Sequence, residues 1–371
     1  IYSARHIALS HFLLCKLFSA VSDRVREAFS YSDTVLLEID LHNQETVKRL
    51  IRCKNLRRKQ TTASYLHPKL HKRVENFMAT FRHSLISWAQ MQEEPLNDSY
   101  RKAREIYENL VGNWDRKRPE WLLFILYQLC ENLLDRPTSP MLDVFLANKA
   151  YEEEKQIRAI ETTHEQCNPI VSLTQDEIIF AINYTISYLE HLHVTQRLFH
   201  INTERSVSAL VREYRCGNLD DSYFEINDIS TTNLQIGEKE KKLAAKIERQ
   251  LRDDIIVKRN ERMANRLNQL LTDNPHLTVF SAIGTGHFFG NVSVLHHLKR
   301  MGYIVRSVGE NDVIVSPRRR GKKLTFNSLW LREHQTVSTV SIEVIEVNSS
   351  NAMLDICSVV LVVSYTKLIC L

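Results

Sequence analysis

The segment that most constrains the fold is Thr34-Val-Leu-Leu-Glu-Ile-Asp40, which is apolar on both faces if it is extended. A strand of this kind belongs in the interior of a sheet, where both of its faces are buried. A short helix is predicted just before it at residues 22–30, because a serine cap precedes Val25 and Phe29 on one helical face. The chain is therefore predicted to be an α/β protein with this strand in the centre of its sheet.

A second strand-and-turn unit lies towards the other end of the chain, in TVFSAIGTGHFFGN at residues 278–291. An apolar strand runs into a glycine turn, a capped helix follows at 291–302, and 303–308 is predicted as the next strand. A histidine, a helix and a strand follow in the same order near the start of the chain, where His11 precedes the first helix. This weak internal repeat predicts two pseudo-symmetric halves that share one sheet.

The region between the two units is mostly helical in pattern. Residues 66–212 therefore predict a large helical insertion, and 239–271 predict one long helix. Its apolar stripe is interrupted by Arg259, where the spacing calls for an apolar residue. The arginine either extends its charge to solvent along the helix surface or belongs to a site.

The glycine turn at Gly284-Thr-Gly-His287 allows three interpretations. Together with Gly290 it forms a loose GxGxxxG pattern at the end of a strand, which is a common address for nucleotides. Phe288 and Phe289 stand where phosphate oxygens would lie, and no acidic residue ends the following strand at the usual distance. A metal site or a purely structural turn with a hydrogen-bonded histidine are the alternatives.

Two carboxylates at the end of the first strand favour a site. Glu38 and Asp40 are two residues apart, so in an extended strand they point to the same face. Buried carboxylates are costly unless ionised partners or a metal meet them. Asp40 could instead cap the next segment, an explanation that suits Glu38 less well.

His11, His287, Glu38 and Arg259 together form a constellation with a coherent chemistry. Two imidazoles and a carboxylate suit manganese, cobalt or zinc. Such a metal activates water, a carboxylate moves protons, and an arginine holds a developing oxyanion.

The segment FSAIGTGHFFGNVSVLHHLKRMGY resembles the second Gly-x-x-His motif of the TIKI metalloproteases, which are membrane-anchored members of the wider TraB group. Further blocks that resemble this family stand in the family's order at residues 112–121, 141–146, 165–169, 215–219, 258–262 and 326–330. The resemblance covers roughly residues 22–331.

The resemblance implies a metal-dependent protease that uses manganese or cobalt, with zinc less favoured, and a TraB/erythromycin-esterase-like fold. Its implied substrates are Wnt-class secreted signalling proteins, clipped near their N-termini so that signalling falls. It places His287 in a metal motif with Gly284 and Gly286. Glu38 and His11 become further metal ligands, while Glu38 also acts catalytically with Arg259 and Asn260.

The chain departs from the family at its first Gly-x-x-His motif, which falls on Ala8-Leu-Ser-His11. Alanine replaces the glycine there, and a Cβ would crowd a turn that needs positive φ or close metal approach. Either this copy of the motif has decayed, or residues 1–21 are not the true protein sequence, and we favour the second explanation. An inactive member of the family that binds the same partners, or a nucleotide-binding α/β protein, are the rival functions.

Charge and hydropathy divide the chain into three parts. Residues 1–310 are predicted as the protease domain, 311–351 as a basic and polar linker, and 352–371 as a hydrophobic anchor segment. The net charge of +5 equals the charge of the RRRGKK run at 318–323, so nucleic-acid binding gains no support. The expected location is the cell membrane, as a single-pass type I protein with an extracellular catalytic domain, or with a lipid anchor as the alternative.

Secretion would expose two kinds of modification site. Cys167 and Cys216 lie in family-like blocks and are candidates for a disulfide with each other or with Cys53. The sequons predict glycosylation at Asn97, Asn183 and Asn348.

Overall fold

The computed structural model describes residues 23–91, 96–130, 142–199, 237–275, 277–307 and 341–344. Its α-helices are α1 (Asp23–Tyr31), α2 (Gln44–Cys53), α3 (Pro68–Met91), α4 (Leu96–Val111), α5 (Pro119–Cys130), α6 (Leu142–Glu152), α7 (Thr163–Cys167), α8 (Gln175–Val194), α9 (Glu238–Arg252), α10 (Lys258–Asp273) and α11 (Val294–Arg300). Its strands are β1 (Thr34–Leu37), β2 (Gln156–Ala159), β3 (Val279–Ala282), β4 (Ile304–Ser307) and β5 (Ser341–Val344). Short 3-10 turns occupy Thr62–Ser64, Trp114–Arg116 and Thr285–His287, and a π-helical turn occupies Asp253–Val257.

Strand β1 is the centre of a three-stranded parallel sheet in the order β2-β1-β3. Thr34 is in register with Gln156 on one side and with Val279 on the other. The strand ends three residues earlier than predicted, because the residues around Asp40 form local hydrogen bonds instead of continuing the strand. The Asp40 carboxylate accepts the backbone amides of His42 and Asn43 at 2.9 and 3.3 Å.

The sheet is covered by helices on both faces, as the apolar pattern of β1 requires. Val35 and Leu37 pack with residues of α1 and α6 on one face. Leu36 points to the opposite face, where it packs with residues of α10 and α11. The side chains of β1 alternate between two cores, so the position two residues after Leu36 is directed towards α10.

A separate and larger core joins the helices of the predicted insertion. Buried side chains of α3, α4, α5, α8 and α9 form one cluster in which Val74, Leu122, Ile186 and Leu251 are among the fully buried members. The prediction of a mostly helical region at 66–212 missed β2. That strand is a four-residue edge strand with half-buried or exposed side chains, so it lacks an apolar run.

The long helix predicted at 239–271 is present as α9, the π-helical turn and α10 in direct succession. The capped helix after the glycine turn is α11. Ser293 accepts the amide of His296 at its start, and Gly302 closes it with φ of +95°.

The prediction of two pseudo-symmetric halves is not confirmed. Strands β4 and β5 pair in parallel as a separate two-stranded sheet, and residues 1–22 of the first half lie outside the described residues. Strand β5 falls within the segment that was predicted as a linker. The helices that the structure describes include none with the length and apolarity needed to cross a bilayer, and the predicted anchor at 352–371 lies outside the described residues.

A disulfide joins the end of α2 to the end of α7 through Cys53 and Cys167. Cys167 therefore pairs with Cys53 and not with Cys216, which lies outside the described residues. Spacing alone cannot select among several cysteines, because pairing depends on which ends the fold brings together. The bond lies beside the buried Ile39 and Leu41, which follow β1 directly.

Candidate active site

Functional side chains gather where the three parallel strands end. Glu38 follows β1, Glu161 follows β2, and the turn from Gly284 to His287 follows β3. The carboxyl ends of parallel strands meet at one edge of a sheet, where ligands bind in open α/β folds. Helix α10 crosses this edge and contributes Arg259 and Asn260.

Glu38 is fully buried, and both of its carboxylate oxygens accept hydrogen bonds. The Gly284 amide donates to Oε1 at 2.7 Å, and Arg259 Nη2 donates to Oε2 at 3.2 Å. These bonds connect the ends of β1 and β3 with α10. Arg259 is thus the ionised partner that this buried carboxylate was expected to need, whereas Asp40 acts as a local cap.

Arg259 also binds Glu161 through two parallel hydrogen bonds. Its Nε lies 2.8 Å from Oε1, and its Nη2 lies 2.7 Å from Oε2. Gln166 of α7 donates to the same Oε2 at 2.5 Å. Burial opposes the charge on Arg259, but Glu161 and then Glu38 outweigh it and raise the pKa of the guanidinium.

Glu161 was not identified from the sequence. It is 3% exposed and lies two residues beyond a weak edge strand, within a region of helical pattern. One signal could have found it. Thr162-Thr-His-Glu165 matches a capping box, which predicts a helix start directly after Glu161 and thus a loop before it.

Two buried carboxylates, Glu38 and Glu161, share the guanidinium of Arg259 at the strand ends. Carboxylate oxygens attract cations and repel anions, and a cation at this edge of the sheet would lower the cost of burying them. The electrostatics of the strand ends therefore suit a metal ion better than an anion.

His287 is held in one tautomer by Asn260. Asn260 Nδ2 donates to the Val292 carbonyl at 2.8 Å, so its Oδ1 faces the imidazole and accepts from Nδ1 at 2.6 Å. With the proton on Nδ1, the neutral ring presents its lone pair at Nε2. Histidines that ligate metals are oriented in this way by a partner on the other nitrogen.

The π-helical turn sets the direction of Arg259 and Asn260. A π turn inserts one extra residue, which rotates the following helix by about 100°. Asp254 fixes the turn, since it accepts the amides of Val171 and Ser172 at 2.8 and 2.7 Å and Lys258 Nζ at 2.6 Å. Burial raises the pKa of Asp254, but these bonds outweigh it and lower the pKa below its ordinary value. The fold thus secures the register of α10 beside the sheet.

The donor atoms in the described residues fit part of a metal-binding set. Imidazole Nε2 of His287 and the carboxylate of Glu38 are ligands that manganese, cobalt and zinc accept. Within the described ranges, no three His, Cys, Asp or Glu side chains are grouped closely enough to hold an ion. His11, the other predicted ligand, lies outside them.

The same geometry disfavours a nucleotide. A phosphate at this turn would need the Gly284 amide as a hydrogen-bond donor, but that amide already donates to Glu38. Phe288 packs against the core beside the sheet, and the neighbouring carboxylates would repel phosphate oxygens.

The structure thus brings together five of the predicted residues: Glu38, Arg259, Asn260, Gly284 and His287. Gly286 is buried in the same turn. Of the predicted glycosylation sites, Asn183 is exposed on α8 and its Oδ1 accepts from Arg73 at 2.6 Å. The side chain of Asn97 and all of Asn348 lie outside the described residues.

The chain is similar in sequence to known proteins. A profile of the TraB/PrgY/gumN family matches residues 11–307. The chain is 30% identical over 286 residues to "Metalloprotease TIKI homolog" of Nematostella vectensis, covering 76% of this chain and 60% of that protein. It is 32% identical over 297 residues to "Metalloprotease TIKI1" of Danio rerio, covering 80% and 59%, and 31% identical over 299 residues to "Metalloprotease TIKI1" of Homo sapiens, covering 80% and 58%. The chain spans about three fifths of the length of these relatives, and no solved structure matches it.

Proposed function

The chain belongs to the TraB/PrgY/gumN family, and on that basis we propose that it is a metal-dependent protease of the TIKI type. One observation carries the proposal. The fully buried carboxylate of Glu38 accepts a hydrogen bond from Gly284, in a glycine turn at the end of a parallel sheet. The same turn contains His287, whose tautomer is fixed. The names of the relatives, which are metalloproteases, support the same class of enzyme.

In this proposal His287 Nε2 and Glu38 hold manganese or cobalt, and His11 completes the set. When bound, the metal supplies an activated water and polarises the scissile carbonyl. Asn260 orients the imidazole, and Glu38 serves as the proton acceptor. Arg259 was expected to hold the developing oxyanion, but its buried guanidinium is engaged by Glu161 and Glu38, so in this proposal it positions Glu38 at the strand ends.

The proposed substrates are Wnt-class secreted proteins, cut near their N-termini. The proposed location is the cell surface, with attachment through residues 352–371 as a transmembrane segment or through a lipid anchor. The Cys53–Cys167 disulfide supports an oxidising compartment. Since the chain spans only part of its relatives, the substrate, the anchor and the metal are expectations for experiment.

The decisive experiment measures cleavage by the full chain supplied with manganese or cobalt. A Wnt-class protein and a disordered peptide serve as substrates, and mass spectrometry locates new N-termini. We expect His287→Ala to lower cleavage by at least about 100-fold, since removing a ligand exceeds the effect of removing its orienting partner. His193→Ala, on the exposed surface of α8, is the matched control and should cleave normally.

Glu38→Gln separates catalysis from folding. It should lower turnover more than it lowers the unfolding temperature, because an amide keeps the size of the side chain and loses its charge. If folding and turnover fall together, Glu38 is structural. Full cleavage by His287→Ala would remove the histidine from the site and with it this proposal.

A second candidate is a member of the family that binds the same partners and does not cleave them. It is favoured by Ala8, which stands in place of the first motif's glycine. Ala8→Gly distinguishes the two candidates. Cleavage gained only by the glycine variant assigns the natural chain to the binding class, and cleavage by both forms excludes that class.

A further inference from the structure

A pocket of about 590 Å³ opens on the helical part of the molecule, among the segments that surround the disulfide. Its floor is formed by the buried Leu56, Pro119 and Ile178. Its rim carries polar side chains and three charged ones, Arg57, Arg118 and Glu120. The pocket therefore offers both apolar surface and hydrogen-bonding groups, as ligand sites do.

Two basic segments frame this pocket because the chain pairs them. Asn55 forms an antiparallel bridge with Lys117, with the Leu56 amide 2.7 Å from the Arg116 carbonyl and the Arg118 amide 2.9 Å from the Lys54 carbonyl. The bridge joins RCKNLRRK at 52–59, which has five basic residues, to Arg-Lys-Arg at 116–118. This patch was not predicted, because the net charge of the chain is already equalled by the RRRGKK run.

Of the charged side chains that line the pocket, Arg118 and Glu120 form an ion pair with each other, and Arg57 is the exception. Arg118 pairs with Glu120 and also donates to the carbonyls of Cys53 and Cys167 at 3.1 and 3.3 Å. Arg57 is exposed and makes no ion pair with any residue that the structure describes. It therefore presents an uncompensated positive charge at the rim.

We propose that this pocket binds an acidic segment of a polypeptide. A ligand carboxylate pairs with Arg57, and an apolar side chain covers Leu56 and Ile178. A sulfated polysaccharide would satisfy the charge but has no apolar group for the floor, so the polypeptide is favoured. The proposal is independent of the proposed protease activity, because it concerns binding at a site that shares no residue with the strand ends.

The test measures binding to the full chain by fluorescence anisotropy. The probe is a labelled peptide in which glutamate alternates with leucine, and a lysine–leucine peptide of equal length is the charge control. Arg57→Glu should weaken the acidic probe by about 5- to 10-fold, with a flatter dependence on salt. Arg58→Glu is the matched control. It makes the same change from a positive to a negative charge, at the neighbouring exposed residue, which does not line the pocket. It should change affinity less than about twofold.

Equal weakening by Arg57→Glu and Arg58→Glu would overturn the proposal, because attraction would then be spread over the patch. Failure of the acidic probe to bind, or equal binding of the lysine probe, would do the same. A sulfated oligosaccharide that displaces the acidic probe and binds more tightly would assign the pocket to polyanions. Glu38→Gln should bind the probe normally, so that loss of cleavage and loss of this binding are separable.

Discussion

At the scale of single residues, Arg259 is the connection on which the candidate site is built. It binds Glu161 with two hydrogen bonds and Glu38 with one, and its side chain is almost fully buried. Removing one partner from a buried ion pair costs about 3–5 kcal/mol, because the remaining charge is left without compensation. The strand ends are therefore held in one arrangement before any ligand binds.

Asn260 provides a residue-scale test of the histidine tautomer. Asn260→Ala removes the acceptor that keeps the proton on Nδ1 of His287, so we expect the affinity for cobalt to fall by about 10- to 100-fold. The measurement is a cobalt titration followed by visible absorption. This readout responds to ligand orientation and does not depend on substrate.

The matched control lies farther along the same helix. Asn268→Ala removes an acceptor for the Tyr303 hydroxyl at 2.8 Å, away from the strand ends. It should leave the cobalt affinity unchanged. Equal losses in the two variants would mean that the asparagine acts through the stability of α10 and not through the imidazole.

At the scale of elements, α7 links the site to the rest of the fold. Glu165 forms a capping box with Thr162 and also binds Arg266 at 2.7 and 2.8 Å. Gln166 in the same helix donates to Glu161, and Cys167 ends the helix in the disulfide. Loosening this one helical turn would therefore affect the carboxylate that holds Arg259.

The pH dependence of stability tests this linkage. Burial raises the pKa of Glu165, but hydrogen bonds from Arg266 and Thr162 outweigh it and lower the pKa to about 2 from an ordinary 4.5. A lowered folded-state pKa stabilises the protein above pH 4.5, and that contribution is lost progressively as the pH falls towards 2. Thermal unfolding of Glu165→Gln should therefore vary less over this interval than that of the natural chain. If the unfolding temperatures of the two proteins changed in parallel with pH, this prediction would be contradicted.

The sequence predicted the elements with strong patterns and missed β2, whose pattern is weak. Strand β1 is buried at every position and was placed correctly in the centre of the sheet, and the interruption at Arg259 left open either a surface arginine or a site residue. Strand β2 has the polar Gln156 and Arg158 at alternate positions and only four residues, so its tertiary pairing decides its conformation. Because β2 was missed, Glu161 was missed as well, and so was the ion pair that Glu161 forms with Arg259.

At the scale of the whole molecule, the disulfide between Cys53 and Cys167 is a covalent constraint on a large part of the described chain. Cys53 and Cys167 are 114 residues apart, and the loop between them contains α3, α4, α5, α6 and β2. Closing a loop of this size stabilises a protein by up to about 5 kcal/mol through the unfolded state. Which cysteines pair could not be read from spacing, because the fold brings remote helix ends together.

Replacing both cysteines tests that contribution. The Cys53→Ser, Cys167→Ser double variant should lose about 2–5 kcal/mol of unfolding free energy in urea titration. Cys130→Ser is the control for the loss of a thiol elsewhere and should lose less stability than the double variant, because a serine hydroxyl can donate to the Leu126 carbonyl as the thiol does. A double variant as stable as the control would indicate that the helical core alone fixes the ends of α2 and α7.

The parallel order β2-β1-β3 has a consequence for biosynthesis. Glu38, Glu161 and His287 come from three widely separated parts of the chain, and the last of them is among the last described residues to leave the ribosome. Every nascent or prematurely released product that stops before position 287 lacks the histidine altogether. The candidate site is therefore incomplete during synthesis until position 287 has been added and β3 has paired with β1.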